Sequence, residues 1–246
     1  MSNEFQTHLP PISEIWVYLS GSPLMALVLT LSAYLLGLTL YERSQRNPLA
    51  NPVLIAVVLV TLSISVLDMP YAKYFEGAQF VHFLLGTATV SLAIPIYKGF
   101  ASLKGRMGVL MLSLVAGGIT SVLTAVGVAR WLGVDESLVR GLVAKSVTAP
   151  IAMGIAERVQ ASPTLTAIFA VSTGILGAIL GRYVLDLLRV TQWWQRGFAL
   201  GVAAHGIGTS RAFSVHPEAG AYASLGMGLH GIVGAVVIPY AVAWWF

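Results

Sequence analysis

Two short stretches hold most of the polar chemistry that this 246-residue chain places inside apolar sequence. One is Lys145-Ser146-Val147-Thr148-Ala149-Pro150, within the segment Val139–Arg158. The other is His205-Gly206-Ile207-Gly208-Thr209-Ser210-Arg211, within Arg196–Phe213. Pro150 removes a backbone donor and suits the first turn of a new helix, with Thr148 or Ala149 as its N-cap. Gly206 and Gly208 loosen the second stretch, and Thr209 or Ser210 is placed to start a short helix carrying Arg211. Helix N-termini present free N–H groups and a partial positive charge, which suits an anion. Lys145, His205 and Arg211 add cationic donors, Ser146, Thr148 and Thr209 add hydroxyls, and Glu157 is the sole carboxylate of the two segments. That balance fits a small anion such as a carboxylate. His205 is also the side chain able to exchange a proton near neutral pH.

Each of these residues has a plainer reading beside the functional one. Lys145 is also placed to snorkel to an interface or to pair with Glu157. His205 equally suits a hydrogen-bonded packing role, and Arg211 an anchor beyond the membrane. Ser146, Thr148 and Thr209 can bond neighbouring carbonyls. A third interruption, Gly86-Thr87-Ala88-Thr89 with Pro95, reads first as a packing kink, and Thr87 and Thr89 are its candidate site hydroxyls. His82 and His230 stand alone on apolar faces. The five histidines share no metal spacing, and no nucleophile–base pattern is present, so no metal, cofactor or enzymatic role is expected. Gly226-Met227-Gly228-Leu229-His230-Gly231 spells a dinucleotide fingerprint. It lies in an apolar run with no preceding strand, and with Gly177 and Gly181 it reads as close helix packing.

The elements that must position these residues belong in a bilayer. Hydrophobic residues make up 57% of the chain and charged ones only 10%. A soluble domain needs roughly a quarter charged residues to face water. Crossing the hydrocarbon core takes about 20 mostly apolar residues. Pro23–Tyr41, Gly77–Tyr97, Met107–Ala129, Thr164–Leu185 and Ala219–Phe246 qualify, and Pro52–Leu67 is slightly short. The expected fold is therefore an all-α integral membrane protein, a multi-span helical bundle with two broken or re-entrant segments. Residues 1–22 carry Glu4 and Glu14 without Lys or Arg, unlike a cleaved signal peptide, and read as a retained, non-cytoplasmic interfacial segment. Residues 23–246 read as one polytopic domain. With no cysteine, disulfide and thiolate chemistry drops out. The net charge of +4 sits in loops beside spans and fits orientation better than nucleic acid.

A shift of 56 residues aligns 107–157 with 163–213 without gaps, giving ten identities in 51 positions. They include Gly118/Gly174, Val134/Val190, Arg140/Arg196 and Gly141/Gly197. Interrupted segments at matching places in two repeats are the sequence pointer to a transporter's binding site. Loop charge adds a direction. Arg43, Arg46, Lys98, Lys104 and Arg106 fall in the cytoplasm if the N-terminus is outside. Arg182, Arg189 and Arg196 join them only if both broken segments turn back, which makes the two units an inverted repeat.

These motifs carry a resemblance. The chain resembles the LrgB/CidB family of bacterial membrane proteins, which also matches the C-terminal half of the plant plastid glycolate/glycerate translocator. The likeness runs from about Leu40 through Asn47-Pro48-Leu49, Gly86–Pro95, Lys145–Met153, Thr173–Gly181, His205–Thr209 and Gly220–Gly231. Thr87, where many relatives carry proline, and His230, usually apolar or small, depart from the pattern. The resemblance implies a multi-pass protein of the cytoplasmic (inner) membrane, with an LrgA/CidA-type small membrane protein as partner and a homo-oligomeric state. It implies two rival functions. One is transport of a small monocarboxylate such as pyruvate, glycolate or glycerate. The other is a holin-like or antiholin-like role that modulates murein hydrolase export and autolysis. The residues themselves, read as an anion site, favour transport.

Overall fold

A computed structural model describes residues 23–91, 94, 97 and 105–245. The interfacial segment 1–22, Lys98, Lys104, Pro95 and Phe246 lie outside the described residues, as do the side chains of His82 and Thr89. Among the described residues every regular element is helical. Four helices, Leu24–Arg43, Met107–Trp131, Pro163–Leu187 and Pro217–Trp245, are long and apolar enough to cross a bilayer. The chain is a multi-span helical membrane protein. Its helices gather into two compact units that divide after Val90, so residues 23–246 comprise both.

The first unit holds α1 (Pro23–Arg43), a short 3-10 turn (Pro48–Ala50), α2 (Pro52–Val66) and α3 (Tyr71–Ser91). Asparagines set the turns. The Asn47 side chain accepts from Leu49 N–H, and the buried Asn51 accepts from Val53 and Leu54 N–H, with Pro52 opening α2. Gly37 permits α1 to touch the start of α2, because a Cβ there would stand 2.7 Å from the Pro52 carbonyl. α3 begins ahead of the expected span Gly77–Tyr97, the end of which includes residues outside those described. It starts at Tyr71 and carries Lys73 and Glu76 in its first turns, and it is not among the four long apolar helices. The expected kink at Gly86–Thr89 is helical backbone instead. The exposed Thr87 hydroxyl donates back to the Leu84 carbonyl, so the polar residue costs the helix little.

The second unit holds α4 (Met107–Trp131), α5 (Glu136–Leu142), α6 (Ala149–Arg158), α7 (Pro163–Leu187), α8 (Trp193–Val215) and α9 (Pro217–Trp245). Arg106 stands over the Trp194 ring, bonds Tyr222 and lies 3.8 Å from Glu218, so α4, α8 and α9 start on one face. Arg130 stands over Trp245, so α4 and α9 end together on the opposite face. Arg196 donates to Asp186 at 2.7 Å, which brings the end of α7 to the Arg106 face. α7 therefore runs against α4 and α9. A core of Val126, Val139, Val147, Ile155, Ala170 and Ile238 ties α5 and α6 between these long helices.

The 56-residue correspondence extends to local geometry. α4 and α7 are both 25 residues long and offset by that shift at each end. Leu132, Gly133 and Val134 N–H bond back to Val128, Arg130 and Ala129. Leu188, Arg189 and Val190 N–H bond to Val184, Asp186 and Leu185, the matched set. Gly133 and Arg189 both take positive φ, at 70° and 55°. Gln160 and Asp68 also take positive φ at helix ends, so the motif alone is ordinary; its recurrence at the matched ends of α4 and α7 is not.

Candidate functional site

The first broken segment is built by its caps. Asp135 accepts from Ser137 N–H and hydroxyl and starts α5. Those two bonds, the hydroxyl's first, hold its carboxyl below the ordinary value. Gly141 lets α5 press on α7 near Thr166 and Phe169, close to the start of that helix. After Leu142 the helix opens, and α6 begins only at Ala149, with Thr148 extended at the N-cap and Pro150 in the first turn. The expected helix start at Thr148–Pro150 stands, although the Thr148 side chain makes no capping bond. α6 then runs to Arg158, and residues 159–162 join it to the start of α7. The chain has entered from the Arg130 face and returned to it.

At the turning point Lys145 and Ser146 meet α4. Lys145 Nζ donates to Ser121 Oγ at 2.7 Å and to Ser146 Oγ at 3.2 Å, and the two hydroxyls are 2.5 Å apart. Ser121 stands ten residues before the end of α4, so this cluster lies about 15 Å into the helix, near its middle. The alternative partner Glu157 is exposed on α6, and no ion pair joins it to Lys145 among the described residues. A cavity of about 780 Å³ runs from Trp194 and Val190 on the Arg106 face down to Lys145, Ser121 and Ser146. Ser113 and Gly117 of α4, Thr173 and Gly177 of α7, and the first half of α8 form its walls. Polar groups are few, and the floor carries the one charged side chain of the lining, the usual form of a small-ligand site.

The second broken segment differs. The break in α8 falls at one residue, His205, with φ 40° and ψ −128°, a conformation costly for any side chain. Trp193, which opens α8, stacks on His216, which follows its end, with ring centroids 4.9 Å apart. A Cβ on Gly208 would stand 2.6 Å from the Leu200 carbonyl. The chain thus doubles back to the Arg106 face. Here the expectation from sequence needs correction. The returning half-helix begins after His205 rather than at Thr209 or Ser210, and Gly206 and Gly208 are helical. Gly208 serves close approach rather than unwinding. Thr209 is buried, and its hydroxyl donates to the His205 carbonyl.

His205 is buried as well, and its Nε2 lies 2.8 Å from the Ala170 carbonyl. Its ring rests on Gly174, as the His230 ring rests on the matched Gly118. Neither His205, Gly206, Gly208 nor Thr209 lines the Lys145 cavity. Nor does Arg211, which lines a separate cavity of about 350 Å³ with Arg182, Asp186 and Arg196. Lys145 and Arg211 are therefore not gathered around one space. Thr148 and Pro150 lie at the break without lining the large cavity, and Thr87 belongs to the first unit. Ser121 went unread in the sequence. Its signal was a hydroxyl in the middle of an apolar span, shared with Ser113, Thr120 and Thr124, and only the position of Lys145 distinguishes it.

Antiparallel long helices flanked by two doubled-back segments, with one ammonium held at mid-depth beside a mostly apolar cavity, define a polytopic membrane protein. The LrgB-like family model matches residues 30–244, across both units, and the chain belongs to that family. It is similar to "Uncharacterized protein YwbG" of Bacillus subtilis, 32% identical over 220 residues, covering 89% of this chain and 97% of that one. It is similar also to "Holin-like protein CidB" of Staphylococcus aureus strain N315, 26% identical over 219 residues, with 89% and 95% covered. No solved structure matches the chain.

Proposed function

We propose that this protein is a transporter, or the transporting subunit, for a small monocarboxylate anion of the pyruvate, glycolate or glycerate class. The observation that carries this reading is Lys145, whose ammonium is held between Ser121 and Ser146 at the floor of the 780 Å³ cavity. A carboxylate stripped of water is costly unless it is paired and hydrogen-bonded. An ammonium with two hydroxyls supplies both forms of compensation. The role is binding and translocation rather than bond chemistry, so the protein is read as no enzyme. Alternating access fits an inverted repeat of 107–157 and 163–213. In support, α4 and α7 are opposed and the two broken segments double back from opposite faces. Arg106, Arg182, Arg189 and Arg196 gather toward one face. The other holds three, Arg130, Arg140 and Arg158, and acidic side chains stand at both, Asp186 and Glu218 at the first and Asp135, Glu136 and Glu157 at the second. The positive-inside rule puts the first face in the cytoplasm of a bacterial inner membrane. A small LrgA/CidA-type membrane protein is the expected partner, and a homo-oligomer the expected assembly.

The name of the relatives, holin-like protein CidB, favours a second reading, a holin-like role, for which the family resemblance implies modulation of murein hydrolase export and autolysis. The same preparation separates the two. Proteoliposomes should take up labelled pyruvate or glycolate saturably, and Lys145→Gln should abolish most of that uptake while an encapsulated dye stays inside. Dye release that ignores Lys145, with no saturable uptake, would favour the holin-like reading and end the transport one. Orientation has its own check, because the chain has no cysteine. A single cysteine at position 189 should resist an impermeant reagent added outside intact cells, and labelling there would overturn the orientation.

A further inference from the structure

The smaller cavity has a different character from the one at Lys145. It opens on the arginine-rich face, between the end of α7 and the two halves of α8. Its lining holds three guanidinium side chains, Arg182, Arg196 and Arg211, and one carboxylate, Asp186. Trp193 stands at its edge. Asp186 is shared, with Oδ1 2.7 Å from Arg196 and Oδ2 3.6 Å from Arg182. Arg196 is fixed further by the Val190 carbonyl at 2.9 Å and by the Trp193 ring. Its side chain is only 16% exposed, whereas that of Arg182 is 57% exposed. Three guanidinium groups and one carboxylate thus line about 350 Å³ of space.

We infer that this cavity is a phosphate-binding site, separate from the Lys145 cavity and independent of what that cavity carries. Planar guanidinium forks match the oxygens of a phosphate group and remain charged at any ordinary pH. A monocarboxylate offers only two oxygens in one plane, a poorer match to three guanidinium forks. The position at helix ends beside a tryptophan is the headgroup depth of a bilayer. The group bound is a phosphate, supplied by the headgroup of an anionic phospholipid or as the free anion.

The test is thermal unfolding of the purified chain in neutral detergent, followed by tryptophan fluorescence. Inorganic phosphate is titrated against chloride of equal ionic strength, and phosphatidylglycerol against phosphatidylcholine. At least one phosphate-bearing probe should raise Tm saturably above its control. Response to phosphatidylglycerol alone identifies a lipid site, and response to inorganic phosphate shows that the free anion suffices. Arg182→Gln and Arg211→Gln should each raise the half-effect concentration about tenfold or more, the loss expected for a charge-assisted contact. Lys145→Gln should leave the response unchanged. Should Arg211→Gln fail to fold, Arg211→Lys keeps the charge without the fork and should show a smaller loss. Stabilisation by neither probe overturns the site, as does an unaltered response in the arginine variants.

Discussion

The two broken segments occupy matched places in the chain and do different work. Shifted by 56, Lys145 corresponds to Gly201, and Ser146 to Val202. In α5–α6 the break spans residues 143–148 and turns an ammonium and a hydroxyl into a cavity. In α8 the break is a single residue. The position equivalent to Lys145 has no side chain, and α9 fills the space: a Cβ on Gly201 would collide with the Ala223 carbonyl, and one on Gly197 with that of Ala219. At the break itself the polar groups of α8 are spent on protein partners, Thr209 on the His205 carbonyl and His205 on Ala170 of α7. One break opens into the larger cavity, and the helix carrying the other is welded to its neighbour. Matched places in the 56-residue alignment thus share a doubled-back path, while single residues decide which break opens into the larger cavity.

The largest expected effect breaks the weld. Gly201→Leu drives a branched side chain into the α9 backbone, where only the smallest residues allow such approach. It should eliminate monodisperse protein on size-exclusion chromatography of detergent extracts. Lys145→Gln, at the equivalent position, should leave that profile intact. A folded Gly201→Leu protein would remove the close α8–α9 contact from the account.

Next comes the open segment itself. Lys145→Gln should lower carboxylate uptake by roughly tenfold to a hundredfold, the cost of one charge-assisted contact of about 1.5–3 kcal/mol. Ser121→Ala should cost less, since it removes one neutral hydroxyl that orients the ammonium. Because the two side chains are bonded, the double variant should lose less than the sum of the two in free energy. Additive losses would assign Ser121 a role apart from Lys145.

His205 sharpens the comparison from the other side, through two opposed terms. Its backbone conformation costs of order 1–3 kcal/mol in a residue bearing a side chain. The bond to Ala170 returns about 0.5–1.5 kcal/mol. His205→Gly relieves the first and loses the second, so Tm should move by only a few degrees. His205→Gln should keep any pH dependence of uptake, because the ring faces Ala170 and Gly174 rather than the Lys145 cavity. Loss of that pH dependence would restore a proton-carrying role to His205.

Much of this was legible in the sequence. Long apolar runs gave the four long helices within a few residues, since length and hydropathy alone govern crossing. Pro150 marked the start of α6, because a residue without N–H is at home only there. Three things were not legible, for separate reasons. His205 holds a conformation that composition assigns to glycine, so its glycine neighbours drew the break to the wrong side. Lys145 and Arg211 share the cationic character of one anion site, but matched places along a chain say nothing of which way a side chain leaves its helix. Ser121 looked like the other hydroxyls of α4, and only tertiary structure singles it out.

The smallest effects compare how the two segments are held where they enter. α8 begins at Gln192, whose side chain makes no capping bond. It is held instead by Arg196, through Asp186 and the Val190 carbonyl. Arg196→Gln should cost about 1 kcal/mol, toward the upper end for an ion pair with an exposed partner. α5 is held by Asp135, and Asp135→Asn should cost less still, because asparagine caps a helix about as well. The difference between them is in pH. The Ser137 hydroxyl and N–H hold the Asp135 carboxyl below its ordinary value, so the folded state favours the charged form. Its contribution is fully present above the unfolded carboxyl pKa of about 3.9 and is lost as pH falls through the lower, folded value. Asp135→Asn has no such dependence. The small Tm gap between parent and variant at pH 7 should therefore narrow below about pH 4. A gap that holds constant across that range would mean that the carboxylate charge does nothing for the cap.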